Sequence, residues 1–168
     1  MLVLDGADDV LRTYPSGLGF APEGHKQFEG DGRTPEGSYL IDRRNPDSLF
    51  HLSIGISYPN ETDIAFADAQ GRSPGKDIFI HGGPRRAIDP MNVREMNVRD
   101  WTAGCISVTD RQVEEIYAMV QDGTPIDIHA YGQAKRRRSA TLMPSIAITM
   151  MTTAIVTLAA LSYWNDRT

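Results

Sequence analysis

The sequence has one cysteine, Cys105, among its 168 residues. A single thiol excludes an intramolecular disulfide and a multi-cysteine metal site. A lone cysteine is more often a small buried hydrophobe than a reactive thiol, so its surroundings must decide its role. The four histidines and this cysteine do not have the spacing of a zinc site. We therefore predict neither a metal nor a cofactor.

The chain also lacks an excess of positive charge. Seventeen Lys and Arg residues against 22 Asp and Glu residues give a net charge of −5. Because phosphate binding needs a clustered positive surface, the composition argues against a nucleic-acid partner. A composition of 40% hydrophobic and 23% charged residues is typical of a globular protein. The length allows one domain and a short appendage.

The first 14 residues have no basic region, no long apolar run and no small-residue cleavage site, so we predict no signal peptide. Residues 145–164, in contrast, carry no charge. Twenty helical residues span about 30 Å, the thickness of a bilayer core, which predicts one transmembrane helix. Because the run holds four Thr and two Ser, a packing or interfacial helix is the alternative. The predicted organisation is one folded domain at 1–133, a basic linker at 134–144 and this helix.

Residues 1–133 have the pattern of a mainly β domain with few helices (α+β), divided by glycine and proline. Residues 50–59 alternate apolar and polar side chains, as a half-buried strand does. Further strands are predicted at 38–42, 77–81 and 125–129. The strand at 77–81 ends on His81 and runs into a Gly-Gly-Pro loop, a common place to present a catalytic group. The polar segment that follows, up to residue 100, is predicted to be a long active-site flap.

One helix is well marked just after the cysteine. Thr109 and Gln112 form a capping-box pattern, and apolar residues then recur at helical spacing. Gly123 is predicted to close this helix. Cys105 therefore lies in a loop shortly before a helix begins.

Cys105 and His81, 24 positions apart, are the minimum for acyl transfer by a thiol. A free thiol has a pKa near 8.5, so little of it is thiolate at neutral pH, and a neighbouring imidazole can take its proton. Gly104 removes a Cβ where a substrate carbonyl must approach. Its backbone N–H is a candidate donor for an oxyanion hole.

These residues stand in a specific order: Ile80-His81-Gly82, then a variable loop, then Thr102-Ala103-Gly104-Cys105-Ile106, with an upstream Thr34-Pro35-Glu36-Gly37 turn. The order resembles the L,D-transpeptidase catalytic domain, the YkuD-like family. The resemblance implies a β-sandwich-like mixed sheet. It also implies that the family's first strand is short or missing here.

The match departs from the commonest family pattern at two positions. Ala103 stands where many members have His, and Ser107 where they have Arg, which resembles the YafK-like branch. The missing arginine removes a guanidinium partner for a substrate carboxylate. The sequence offers four flap arginines as replacements without choosing between them: Arg85, Arg86, Arg94 and Arg99.

The resemblance implies a cysteine acyltransferase that acts on peptidoglycan stem peptides in cell-wall biogenesis. Cys105 would be the nucleophile, His81 the proton donor and acceptor, and Gly104 the oxyanion donor. The implied substrate-binding residues are Gly82, Asp100, Trp101 and Thr102. The acceptor would be an amine: diaminopimelate, a lipoprotein lysine or a D-amino acid. The alternatives are a hydrolase of the same bond class (an L,D-carboxypeptidase or lipoprotein amidase) and an inactive peptidoglycan-binding paralogue.

The location is contested within the sequence. The resemblance implies the bacterial cell envelope, with a membrane-anchored domain on the extracytoplasmic side. The basic run at 135–138 precedes the apolar segment, and the positive-inside rule then predicts the opposite orientation. We expect the envelope.

Four other polar residues have more than one interpretation. His51 is predicted to be a surface or cleft-wall residue, and His25 belongs either to a loop or to a substrate contact. Glu29 and Asp31 lie among glycines and could suggest a cation-binding loop, but with few acidic neighbours we predict a solvated turn.

Overall fold

The structure, a computed structural model, describes the backbone of residues 2–5 and the full residues 10–84 and 99–130. Seven strands and two helices lie in these ranges. The strands are β1 (Leu2–Asp5), β2 (Val10–Tyr14), β3 (Gly37–Asn45), β4 (Ser53–Ile56), β5 (Phe79–His81), β6 (Ile106–Ser107) and β7 (Pro125–Ile128). The helices are α1 (Glu61–Ala69) and α2 (Asp110–Met119).

Five strands form one mixed sheet in the order β6-β5-β4-β3-β7. Every neighbouring pair is antiparallel except β5 and β6, which run parallel. The first two strands form a separate antiparallel pair, and β1 is four residues long. The predicted α+β character and mixed sheet are confirmed, while the sandwich arrangement stays a prediction.

The strand predicted at 50–59 is wrong in its length and in its pattern. Only Ser53–Ile56 forms β4, and all four residues are buried. The strand lies between β3 and β5 in the interior of the sheet, and its polar-looking positions are small residues that pack there. His51, with φ of 66°, lies before the strand begins.

The other predicted strands are present with shifted ends. Strand β3 is longer than predicted and runs through Asn45. Strand β5 begins at Phe79 and ends on His81, as predicted, so the histidine lies where the chain leaves the sheet. Strand β7 ends at Ile128.

Helix α2 has the predicted capping box: the Thr109 side chain accepts from the Gln112 N–H, and Gln112 accepts from the Thr109 N–H. It ends at Met119, before the predicted end at Gly123, because Val120 already has extended backbone angles. Helix α1 was not predicted. Asn60 and Asp63 form its capping box, so an Asn-x-x-Asp pattern was the available signal.

The hydrophobic core lies between the sheet and α2. Its fully or nearly buried members include Ile54 and Ile56 of β4, Ile80 and Ile106 of β5 and β6, and Ile116 of α2. The paired isoleucines of β5 and β6 both point into this core. Their burial fixes the register of the two strands, and a slip of one residue would move every side chain to the other face.

No helix within residues 2–5, 10–84 and 99–130 is long and apolar enough to cross a membrane. The predicted transmembrane helix at 145–164 lies outside the described residues. The linker at 134–144, the domain boundary at 133 and residues 85–98 of the predicted flap lie outside them too.

Candidate active site

The parallel pairing of β5 with β6 brings the two halves of the sequence motif together. Ile80 pairs with Ile106, and His81 pairs with Ser107. Cys105 immediately precedes Ile106, and Phe79 immediately precedes Ile80, so Cys105 lies beside Phe79. Residues separated by two positions share a face of a strand, so Phe79, His81 and Ser107 lie on the face opposite the isoleucine core.

His81 is almost fully enclosed, with 3% of its surface exposed. The Phe50 ring lies 4.5 Å from the imidazole, centroid to centroid, and the Trp101 ring lies edge-on at 5.8 Å. Burial among these rings lowers the pKa of His81, and the hydrogen bond to the Gly82 backbone opposes that shift. The folded site therefore favours neutral imidazole.

A single hydrogen bond sets the tautomer of His81. Its Nδ1 lies 2.7 Å from the carbonyl oxygen of Gly82. A carbonyl oxygen can only accept, so Nδ1 carries the hydrogen and donates it. In the neutral ring, Nε2 then holds the free lone pair, and it is the nitrogen that can act as a base.

The sulfur of Cys105 lies 3.6 Å from the carbonyl oxygen of Asp77, to which it donates. Burial raises the pKa of the Cys105 thiol. The backbone N–H of Phe79 and the charges of Lys26 and Arg43 oppose this shift, and Asp77 adds to it. Burial therefore favours the neutral thiol, just as it favours the neutral imidazole of His81.

Both shifts act in the direction of the neutral forms, thiol for Cys105 and imidazole for His81. In the described part of the chain, no hydrogen bond joins the His81 ring to the Cys105 sulfur: Nδ1 donates to Gly82, and the thiol donates to Asp77.

Gly104 occupies a position that no other residue fits. Its φ is +136°, and a Cβ there would lie 2.6 Å from the carbonyl oxygen of Arg33. Its N–H donates to the Thr102 hydroxyl at 3.1 Å, and that hydroxyl donates to the Cys105 carbonyl at 2.7 Å. Thr102 therefore shapes the turn that carries the cysteine. The oxyanion role of Gly104 stays a prediction, since its N–H already has an acceptor.

The remaining predicted residues surround this turn. Trp101 contacts His81 and donates from its indole N–H to Ser107 at 3.1 Å. The Asp100 carboxylate accepts from the Leu18 N–H at 2.9 Å. Gly82 is buried, its N–H donates to Phe50 and Leu52 carbonyls, and its own carbonyl holds His81. Trp101 thus lies in the site, while Asp100 and Gly82 position other groups.

Two of the three histidines outside the motif, His25 and His51, have structural contacts. His25 Nε2 lies 3.0 Å from Asp63, and His25 Nδ1 accepts from the Glu36 N–H. His51 Nε2 lies 2.7 Å from Glu114. The Thr-Pro-Glu-Gly turn is therefore tied to α1 through His25. Glu36 itself keeps one buried carboxylate oxygen that has no partner in the described residues.

The prediction of a solvated turn at Asp31 is wrong. Its carboxylate accepts from the buried Lys26 ammonium at 3.0 Å and from the backbone N–H groups of Gln27, Phe28 and Arg33. These N–H donors help to hold the pKa of Asp31 below its usual range, although burial opposes the shift. Asp31 therefore builds the loop whose Arg33 carbonyl lies against Gly104.

Sequence reasoning missed Phe50, which covers His81, and Arg43, whose charge acts on Cys105. Phe50 was assigned to a strand that begins three residues later. Of the four flap arginines, Arg99 is described and is exposed, and the other three lie outside the described residues. Arg43 had no local signal, because only the sheet brings it near the cysteine.

A family model for the YkuD L,D-transpeptidase catalytic domain matches residues 1–128. The chain belongs to this family. The match covers both strands that carry His81 and the Cys105 turn. It confirms the resemblance on which the site residues were chosen.

The relatives place the chain within the family. It is 32% identical over 109 residues to YafK of Escherichia coli strain K12, a protein whose own L,D-transpeptidase assignment is provisional. The match covers 64% of this chain and 34% of YafK, so the chain spans about a third of that relative's length. The predicted YafK-like branch is confirmed.

Two solved structures are also similar. Pgp2 of Campylobacter jejuni, a helical cell shape determining protein, is 28% identical over 70% of this chain and 36% of its own, with a TM-score of 0.46. Bd1075 of Bdellovibrio bacteriovorus is 22% identical over 82% of this chain and 48% of its own, with a TM-score of 0.48.

Proposed function

We propose that this chain is an L,D-transpeptidase, a cysteine acyltransferase that acts on peptidoglycan stem peptides with Cys105 as its nucleophile. Family membership supports the reaction class. The observation that carries the proposal is the parallel pairing of β5 and β6, which brings His81 and the Cys105 turn onto neighbouring strands. The tautomer of His81, which leaves Nε2 as a base, supports the same roles.

In the first step, the sulfur attacks the carbonyl carbon of the diaminopimelate residue in a tetrapeptide. The thiol proton passes to Nε2 of His81 as the carbon–sulfur bond forms. When the carbon–nitrogen bond breaks, the imidazolium returns this proton to the departing amine of D-alanine. A thioester on Cys105 remains.

In the second step, an acceptor amine attacks the thioester. His81 takes a proton from the amine, the new amide forms, and the thiolate leaves and recovers a proton from the imidazolium. Because burial disfavours the imidazolium of His81, the site favours return of this proton in each step. The aromatic cover of Phe50 and Trp101 keeps water away from the base.

The proposed partners are stem peptides as donor and diaminopimelate, a lipoprotein lysine or a D-amino acid as acceptor. Peptidoglycan lies outside the cytoplasmic membrane, so the proposal includes an envelope location with residues 145–164 as a membrane helix. Digestion by an added protease in intact spheroplasts tests the location. Protection of the domain until the membrane is lysed would contradict it.

The reaction is tested with the purified full chain and a disaccharide tetrapeptide. We expect D-alanine release, a thioester adduct on Cys105 by intact-protein mass spectrometry, and a cross-linked product that depends on the acceptor amine. Release of D-alanine without any dependence on an amine would make the enzyme a carboxypeptidase. A folded protein that is never acylated by this donor or by an activated acyl donor would contradict the proposal.

A further inference from the structure

One row of residues crosses three strands and reaches the cysteine. Arg43 on β3 pairs with Gly55 on β4, and Gly55 pairs with Phe79 on β5. Phe79 lies beside Cys105, one step back from the Ile80–Ile106 pair. Residues directly opposite each other share a face of the sheet, so Arg43 lies on the face that carries His81.

Gly55 allows the Arg43 side chain to lie flat across the sheet. A Cβ on Gly55 would lie 2.4 Å from Arg43 Cγ and 2.9 Å from its Cζ. The side chain uses this space and places its guanidinium over the Phe79 ring, with Cζ 4.6 Å from the centroid. The guanidinium therefore lies over the side chain of Phe79, the residue of β5 that lies beside Cys105.

Arg43 can exchange a carboxylate partner that it has in this structure for a carboxylate of a ligand. Nη1 donates to the Asp42 carboxylate at 2.8 and 2.9 Å, and Nη2 donates to Asp77 at 3.2 Å. The Asp77 side chain is 58% exposed, and the Arg43 side chain is 38% exposed. Exposed ion pairs of this kind stabilise little, so another carboxylate can replace Asp77 at small cost.

We propose that Arg43 docks a carboxylate of the peptide substrate beside Cys105 and so determines specificity for the acyl donor. A guanidinium binds a carboxylate through two parallel N–H bonds, which fixes orientation as well as position. It supplies the cation that Ser107 does not. The inference rests on the proposed function for the identity of the substrate, but its test does not require turnover.

The electrostatics around the sulfur agree with this placement. Two cations, Lys26 and Arg43, act on Cys105 against one anion, Asp77. Lys26 is buried and held by Asp31, so it is not accessible to a ligand. Arg43 is the accessible cation of the two.

The test measures binding of the tetrapeptide to the Cys105→Ala protein by calorimetry, with and without Arg43→Gln. Three peptides are compared: one with free carboxylates, one with the diaminopimelate side-chain carboxylate amidated, and one with the C-terminal carboxylate amidated. We expect Arg43→Gln to weaken binding of the free peptide roughly tenfold or more, as loss of a charge-assisted hydrogen bond does. In the protein that keeps Arg43, amidation of the carboxylate that docks should weaken binding as much as Arg43→Gln weakens binding of the free peptide. In the Arg43→Gln protein, the same amidation should weaken binding no further.

Two further variants keep the result from depending on one substitution. Arg43→Lys keeps the charge but not the paired donors, so it should recover only part of the affinity. Asp77→Asn removes the competing carboxylate and should tighten binding severalfold, and asparagine tolerates the positive φ of 61° at this position. Arg111→Gln, at a side chain that is 88% exposed on α2, removes one positive charge as a matched control.

Equal weakening of all three peptides by Arg43→Gln would overturn the proposal, because the carboxylate would then not be what Arg43 recognises. Unchanged affinity in a folded Arg43→Gln protein would overturn it as well. Failure of the wild-type chain to form a thioester would instead contradict the proposed function and leave the binding result interpretable.

Discussion

Two histidines of this domain, His25 and His81, use their ring nitrogens differently. His25 accepts a backbone N–H at Nδ1 and faces the Asp63 carboxylate with Nε2, so both nitrogens are committed. His81 donates from Nδ1 to a carbonyl and leaves Nε2 without a partner among the described residues. A histidine with two committed nitrogens holds parts of the chain together, and a histidine with one free nitrogen can move a proton.

The surroundings of the two histidines also differ in polarity. Asp63 also accepts from the Tyr39 hydroxyl and the Asn60 N–H, which makes His25 part of a polar network at the start of α1. His81 is enclosed by aromatic rings instead. Position in the sequence motif, and not a polar setting, is therefore what distinguishes His81, the proposed base, from His25.

The largest effect on activity should come from removing the Cys105 thiol, for which His81 is the proposed base. Cys105→Ala should abolish thioester formation and all turnover, because no other thiol exists in the chain. Its melting temperature should remain close to that of the parent. D-alanine release above a few per cent of the parent rate would show that His81 has another partner.

His81→Gln should have the next largest effect on activity. It should slow acylation by roughly 10²–10⁴, the usual contribution of a positioned general base. His25→Gln is the matched control and should change the rate no more than a few-fold, since His25 has no free nitrogen. The comparison fails if single-turnover acylation slows equally in the two proteins.

His25→Gln should have its main effect on stability. It removes a hydrogen bond to a buried carboxylate, which costs about 1–3 kcal/mol of unfolding free energy and lowers the melting temperature by several degrees. Asp63→Asn should act in the same direction. Thermal melting followed by circular dichroism checks both, and unchanged melting in each would remove the structural role of His25.

The smallest predicted effect is a change in how the free energy of unfolding depends on pH. Burial lowers the folded pKa of His81 below its unfolded value near 6.5, so the unfolded chain binds the proton first. The stability that neutral His81 contributes is therefore fully present above pH 6.5. It is lost as the pH falls from there through the lower folded pKa. Between pH 7.5 and 5.5, His81→Gln should lose less stability than the parent, and an equal loss in denaturant titrations would contradict the shift.

The sequence was sufficient for features that depend on neighbouring residues. The Thr109 capping box, the end of β5 on His81 and the loop position of Cys105 were predicted from short patterns, but strand β6 was not. The extent of β4 was not, because the apolar–polar alternation continues on both sides of Ser53–Ile56, and the small polar-side residues of the strand are buried as well. Helix α1 was missed although Asn60 and Asp63 carried its cap.

The properties that separate the two histidines were beyond the sequence. Which nitrogen of His81 holds the hydrogen depends on where the Gly82 carbonyl lies, and the contacts of His25 join residues 11 and 38 positions apart. The Arg43 row depends on the register of three strands. Such facts arise from tertiary pairing, and local propensity carries no signal for them.

The connection between His81 and Cys105 is anchored at both of its ends. The Gly83 N–H donates to the Asp110 carboxylate at 2.7 Å, and the Asp100 carboxylate holds the Leu18 N–H at 2.9 Å. These anchors and the β5–β6 register hold both ends of the connection, next to His81 and Cys105. We therefore expect a segment of different sequence, grafted between Gly83 and Asp100, to leave these two anchoring contacts in place.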